Sequence, residues 1–108
     1  MAYGNIKTLA RGQAHATSSA VYTGPTQGKS TEVAMIWLHN TNVAAMQVRL
    51  YHQENVTSSL FFNESLASNE TFEVSPKLPI VINGTGSLFI VAASSASVNY
   101  IITGREEV

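Results

Sequence analysis

Three histidines and seven glutamates, in a chain with no cysteine and no aspartate, are the side chains from which a reactive centre could be built. A catalytic zinc ion usually takes three protein ligands. His15 stands near the start of the chain, while His39 and His52 lie at the far ends of two neighbouring apolar runs, Thr31–Asn40 and Ala44–His52. If those runs close as a hairpin at Thr41-Asn42, the two rings stand about 26 Å apart along the strands and share no metal. A glycosidase needs two carboxyl groups roughly 5 to 9.5 Å apart, one with a raised pKa. Glu54, Glu64, Glu70 and Glu73 fall in or beside expected turns and Glu106-Glu107 end the chain, so these acids read as solvated charges. Serine chemistry has no Gly-x-Ser-x-Gly elbow here, and without Asp the third member of a triad would have to be Glu or Asn. Asn83-Gly84-Thr85-Gly86 carries the glycines of a phosphate loop without its Lys or its helix, and reads as a hairpin turn. No catalytic residue, cofactor or metal is expected, and the protein is expected not to be an enzyme.

Aromatic rings offer binding chemistry instead, since flat β-sandwich faces can present Trp or Tyr to a sugar. Trp37 alternates with Val33 and Met35 in a strongly apolar run, which favours core or interface; Tyr51, beside Gln47 and Arg49, is the candidate for a ligand platform. Four Asn-x-Ser/Thr sequons, at Asn55, Asn63, Asn69 and Asn83, are discounted, because chance supplies one or two in a chain so rich in Ser and Thr.

The elements that would position these groups are short. At 108 residues and 11.6 kDa the chain fits one domain. Its charged share is 12%, half the usual value of about 25%, so small neutral polar side chains must cover much of its surface, a surface suited to contact with other protein. A net charge of -1 and six dispersed cations leave no electrostatic footprint for nucleic acid. No apolar run reaches membrane-spanning length and the first residues carry no leader-like apolar stretch, so the expectation is a protein made in a cytoplasm with no membrane partner.

Residues 1–19 are polar, small and poor in large aliphatics, and read as an extended N-terminal arm. From residue 20 to residue 108 apolar runs alternate with turn residues roughly every 8 to 12 positions, the spacing of an all-β, antiparallel sandwich of jelly-roll type. About eight strands are expected. They are Ala20–Thr23, Thr31–Asn40, Ala44–His52, Leu60–Phe62, Thr71–Val74, an edge segment Leu78–Ile82 bracketed by prolines, and a closing hairpin of Leu88–Ala93 with Val98–Thr103. In the second run Val33, Met35, Trp37 and His39 should point one way and Ala34, Ile36 and Leu38 the other, leaving both faces apolar. Such a strand is central, or covered by another subunit. In the third, Ala44, Met46, Val48 and Leu50 should face inward, toward Phe72, Phe89 and Ile90 or Val91.

The order of these pieces resembles a family of small bacteriophage virion proteins encoded among head and tail genes. The residues that carry the likeness are the arm Ile6 to Gln13, Val21-Tyr22-Thr23-Gly24-Pro25, Thr31 to Asn40, Met46 to Leu50, Leu60-Phe61-Phe62, Asn69-Glu70-Thr71-Phe72 and Val98 to Glu106. Gly24, where the family usually has an aliphatic residue, and Trp37 depart from its pattern. The resemblance implies a virion structural subunit with no catalytic residues to carry over, forming homo-oligomers, commonly trimers, and contacting other virion proteins such as the major capsid or tail proteins. Capsid decoration or cement is the first expectation, and a neck or tail-fibre attachment component or a host-glycan-binding module the alternatives. Ile6, Leu9, Arg11, Trp37 and Tyr51 are the expected interface residues.

Overall fold

A computed structural model describes residues 2–108, in nine strands and two sheets. The strands are β1 (Lys7–Gln13), β2 (Ala20–Thr23), β3 (Ser30–Asn40), β4 (Met46–Glu54), β5 (Thr57–Leu66), β6 (Thr71–Val74), β7 (Ile80–Asn83), β8 (Ser87–Ala92) and β9 (Val98–Glu106). All strand pairs are antiparallel. One sheet runs β1-β9-β3 with β6 and β7 sharing the far edge of β3, and the other runs β2-β8-β4-β5. The pairing is nested: first strand with last, second with the one before it, and so on inward to the β4–β5 hairpin. This is the double-sheet arrangement of a jelly roll.

Two short connections expected to be hairpins instead cross between sheets. β3 and β4 do not pair, and neither do β8 and β9. The β3–β4 crossing is organised by Asn40, fully buried, whose Nδ2 donates to the carbonyls of Ala44 at 2.9 Å and of Leu66 and Ala67 at 3.1 Å. Its Oδ1 accepts from the Asn42 amide at 2.9 Å, so one side chain replaces the backbone bonds that a hairpin would have made. Ala44, expected inward, lies in this crossing and is exposed.

Of residues 1–19, expected as an extended arm, the described part, residues 2–19, contributes an integral strand. β1 pairs along β9 from Lys7↔Gly104 to Gln13↔Asn99, and Ala14 is fully buried in the core; Met1 lies outside the described residues. A strand rich in Lys, Thr, Arg and Gln suits the edge of a sheet, where one hydrogen-bonding side is left to water and charged side chains discourage pairing with another chain.

β3 alternates as expected up to Val33, then slips. A register shift between Val33 and Met35 puts Val33, Ile36 and Leu38 together in the core and turns Met35, Trp37 and His39 outward. One extra residue in a strand exchanges its faces from that point on. The bulge sits beside Gly104, and a matching shift in β1 at Leu9 lies on its other side. A Cβ on Gly104 would run into the Glu32 carbonyl and Leu9 Cδ1, so the close approach of three strands requires glycine there. Met46, Val48 and Leu50 of β4 point inward as expected and meet Leu88, Ile90 and Ala92 of β8. Phe89, expected in the core, turns to the other face, as does Val91, the alternative to Ile90, while Phe72 sits at the sandwich rim against Phe62, their rings 5.3 Å apart.

Candidate functional site

The outer faces of the two sheets carry the exposed side chains that the core does not explain. On the β1-β9-β3-β6 face, register aligns one residue from each strand into a row: Arg11 opposite Ile101, Ile101 opposite Trp37, Trp37 opposite Glu73. Cross-strand partners point to the same side, and Trp37 at 37% and Ile101 at 43% exposure are wetted apolar centres between a cation and an anion. The next row is Gln13, Asn99, His39 and Thr71. His39 is held by both ring nitrogens, Nδ1 to Thr71 Oγ1 at 2.7 Å and Nε2 to Asn69 Oδ1 at 3.1 Å.

On the opposite sheet the row is Ala20, Phe89, Tyr51 and Leu60, again one residue per strand. A bulge between Leu50 and Tyr51 leaves Phe61 unpaired and 39% exposed beside Leu60 at 48%. Tyr51 thus stands among apolar neighbours. Gln47 and Arg49 lie on the same outer face of β4, in the rows next to Tyr51 as expected, and line a small hollow of about 160 Å³ with Val91 and Ala93.

The chain matches no protein-family model, no curated protein and no solved structure.

At one end of the sandwich the β2–β3, β4–β5 and β7–β8 loops enclose a polar cleft of about 560 Å³. Gln27, Lys29, Gln53, Glu54, Asn83 and Phe89 are among its walls. The loops are tied together: the Gly84 amide donates to the Lys29 carbonyl at 2.8 Å, and the Glu54 carboxylate accepts from the Asn83 amide at 3.1 Å. That amide, with the Asn83 side chain and nearby His52, holds the Glu54 carboxyl below the usual carboxylate range against the opposing effect of burial. His52 Nε2 lies 3.0 Å from Glu54 Oε2 without the alignment of a hydrogen bond. Among the described residues no cluster of three metal-type ligands forms. His39 and His52 belong to different sheets, a separation that arises from the crossing and not from the expected hairpin.

Of the five expected interface residues, the structure brings Arg11 and Trp37 into one row. Tyr51 is on the other face, Ile6 is 65% exposed just before β1, and Leu9 packs partly against the core. Ile101, Glu73, Leu60 and Phe61 are not among the expected interface residues. Period-2 alternation alone would have put Ile101 outward in β9, but its neighbours depend on the nested pairing, for which the sequence carries no local signal.

Proposed function

We propose that the chain is a non-enzymatic structural protein of a bacteriophage virion, assembling on the particle through homo-oligomeric contacts as a capsid decoration or cement protein. The observation that carries this reading is the pair of aromatic and aliphatic rows on the two outer faces, Ile101-Trp37 exposed on one and Phe89-Tyr51-Leu60 running from half-buried to exposed on the other, in a jelly roll that has only 12% charged residues. Apolar centres rimmed by polar groups are the composition of protein contacts. Two such faces let one subunit bind a copy of itself, in a trimer or ring, and a second virion protein such as a capsid or tail protein. Attachment at the neck or at a tail fibre uses the same faces and differs only in the partner. The test is density-gradient purification of particles from a culture that produces the chain. The chain should travel with the particles in fixed stoichiometry; its recovery only among free proteins would contradict the reading.

The loop-end cleft favours a second reading, a host-glycan-binding module. Its amides, Lys29 and ionised Glu54 supply the mixed donors and acceptors that sugar hydroxyls need, and Phe89 supplies an apolar wall. In that case retention on host polysaccharide should depend on Gln53 and Asn83 and be indifferent to Tyr51→Ala; loss of retention in Tyr51→Ala would move the site to the sheet face.

A further inference from the structure

The β1-β9-β3-β6 face is divided by charge along a line between β9 and β3. Arg11 and Arg105 lie on the β1–β9 half, and Glu32 and Glu73 on the β3–β6 half, with Ile101 and Trp37 flanking the line. Arg105 is already paired with Glu32 at 2.7 Å, whereas among the described residues neither Arg11 nor Glu73 has an ion-pair partner. Within one chain they cannot meet, because three strand spacings separate them by about 14 Å.

We propose that this face docks on the same face of a second copy, across a two-fold axis parallel to the strands and centred between β9 and β3. Rotation about that axis exchanges the two halves. Arg11 then lies over Glu73 of the other copy, Glu73 over its Arg11, and each Trp37 over the other Ile101. The adjoining rows are compatible as well: Asn99 meets His39, and Thr103 meets Met35. A two-fold axis along the rows would instead stack Arg11 on Arg11, so the charge pattern selects the orientation. Face-to-face sheets accommodate it, since they pack about 10 Å apart with strands within about 30° of each other, and the long Arg11 and Glu73 side chains span that gap. Strands β1 of 7 residues, β9 of 9 and β3 of 11, with the 4-residue β6 and β7 on one edge, present roughly 550 Å² per copy at about 3.3 Å per residue, just below the standard size of specific interfaces, so weak self-association, in the micromolar range, is expected. This pairing rests on the reading of the chain as a self-assembling subunit, and leaves the Tyr51 face open for another partner.

Charge reversal tests it. Arg11→Glu presents only acids at these positions and Glu73→Arg only bases, so each variant repels its own copy, yet an equimolar mixture restores both pairs. Both side chains are exposed, and circular dichroism melts establish that the variants fold. In sedimentation equilibrium each single variant should dimerise about tenfold or more weakly than the wild type, and the mixture should recover to within about threefold of it. Association that survives Arg11→Glu, or a mixture as weak as its components, would overturn this docking face while leaving a particle subunit that assembles otherwise. A wild type monomeric at high micromolar concentration would overturn the self-pairing itself, whereas absence of the chain from particles bears on the virion reading and not on the dimer.

Discussion

Tyr22 donates its hydroxyl hydrogen to Glu106 Oε2 at 2.6 Å, joining β2 of one sheet to β9 of the other. Lys7 of β1 reaches the second oxygen of the same carboxylate at 2.8 Å. Three strands, including one from the expected extended arm, thus converge on one acid. The Lys7 and Tyr22 hydrogen bonds hold the Glu106 carboxyl below its ordinary 4.5, while burial and the Glu106 carboxylate push the Tyr22 phenol up to about 12.

Because Glu106 ionises more readily in the folded chain than in the unfolded one, its contribution to stability is present above about pH 4.5 and is lost as pH falls through the lower folded value. Tyr22 acts at the other end: its contribution is complete below pH 10 and is lost as pH rises towards 12. Urea melts from pH 3 to 7 should show the wild type losing stability on acidification more steeply than Glu106→Gln. Parallel acid limbs for the two proteins would contradict this role.

Removing residues 2–13 should destabilise the whole domain. The deletion strips β9 of a neighbour along Lys7–Gln13 and uncovers the sandwich beside Ala14. Thermal melts should show a lowered midpoint or loss of the cooperative transition. An unchanged melt would return this segment to the status of an arm.

Asn40→Ala removes donors from three carbonyls and an acceptor from the Asn42 amide in a buried site. Leaving buried polar groups unsatisfied costs about 1 to 3 kcal/mol each when water cannot reach them. Denaturant melts should register a loss of at least about 2 kcal/mol, with Asn40→Asp also destabilised because a carboxylate cannot donate. A neutral Asn40→Ala would mean that the β3–β4 crossing is held by its other contacts.

On β4, Leu50→Ala should cost about 2 to 5 kcal/mol and Arg49→Ala less than about 0.5 kcal/mol, since Leu50 is 1% exposed and Arg49 lies on the surface. Equal losses in paired melts would contradict the inward assignment of Met46, Val48 and Leu50.

That strand is legible in the sequence because its alternation is unbroken from Met46 to Leu50, where every inward residue is large and apolar. β3 was legible only to Val33: the bulge at Ala34 answers to Gly104 in a strand seventy positions later, a constraint with no local signature. For the same reason the short Thr41–Ala45 connection read as a hairpin. Connection length does not distinguish a turn within a sheet from a crossing between sheets, and the buried Asn40 that decides the matter looks like any turn asparagine. Of the interface residues, Arg11 and Trp37 were readable by type, but their alignment with Ile101 and Glu73 follows from the nested pairing.

The proposed virion role is tested most directly by cryo-electron microscopy of bacteriophage particles purified from a culture that produces the chain. The reconstruction should contain jelly-roll density repeated at symmetry-related positions, with the Trp37 or the Tyr51 face buried against a neighbouring subunit. Particles without such density, or sandwiches held only by their loop ends with both outer faces in solvent, would contradict it.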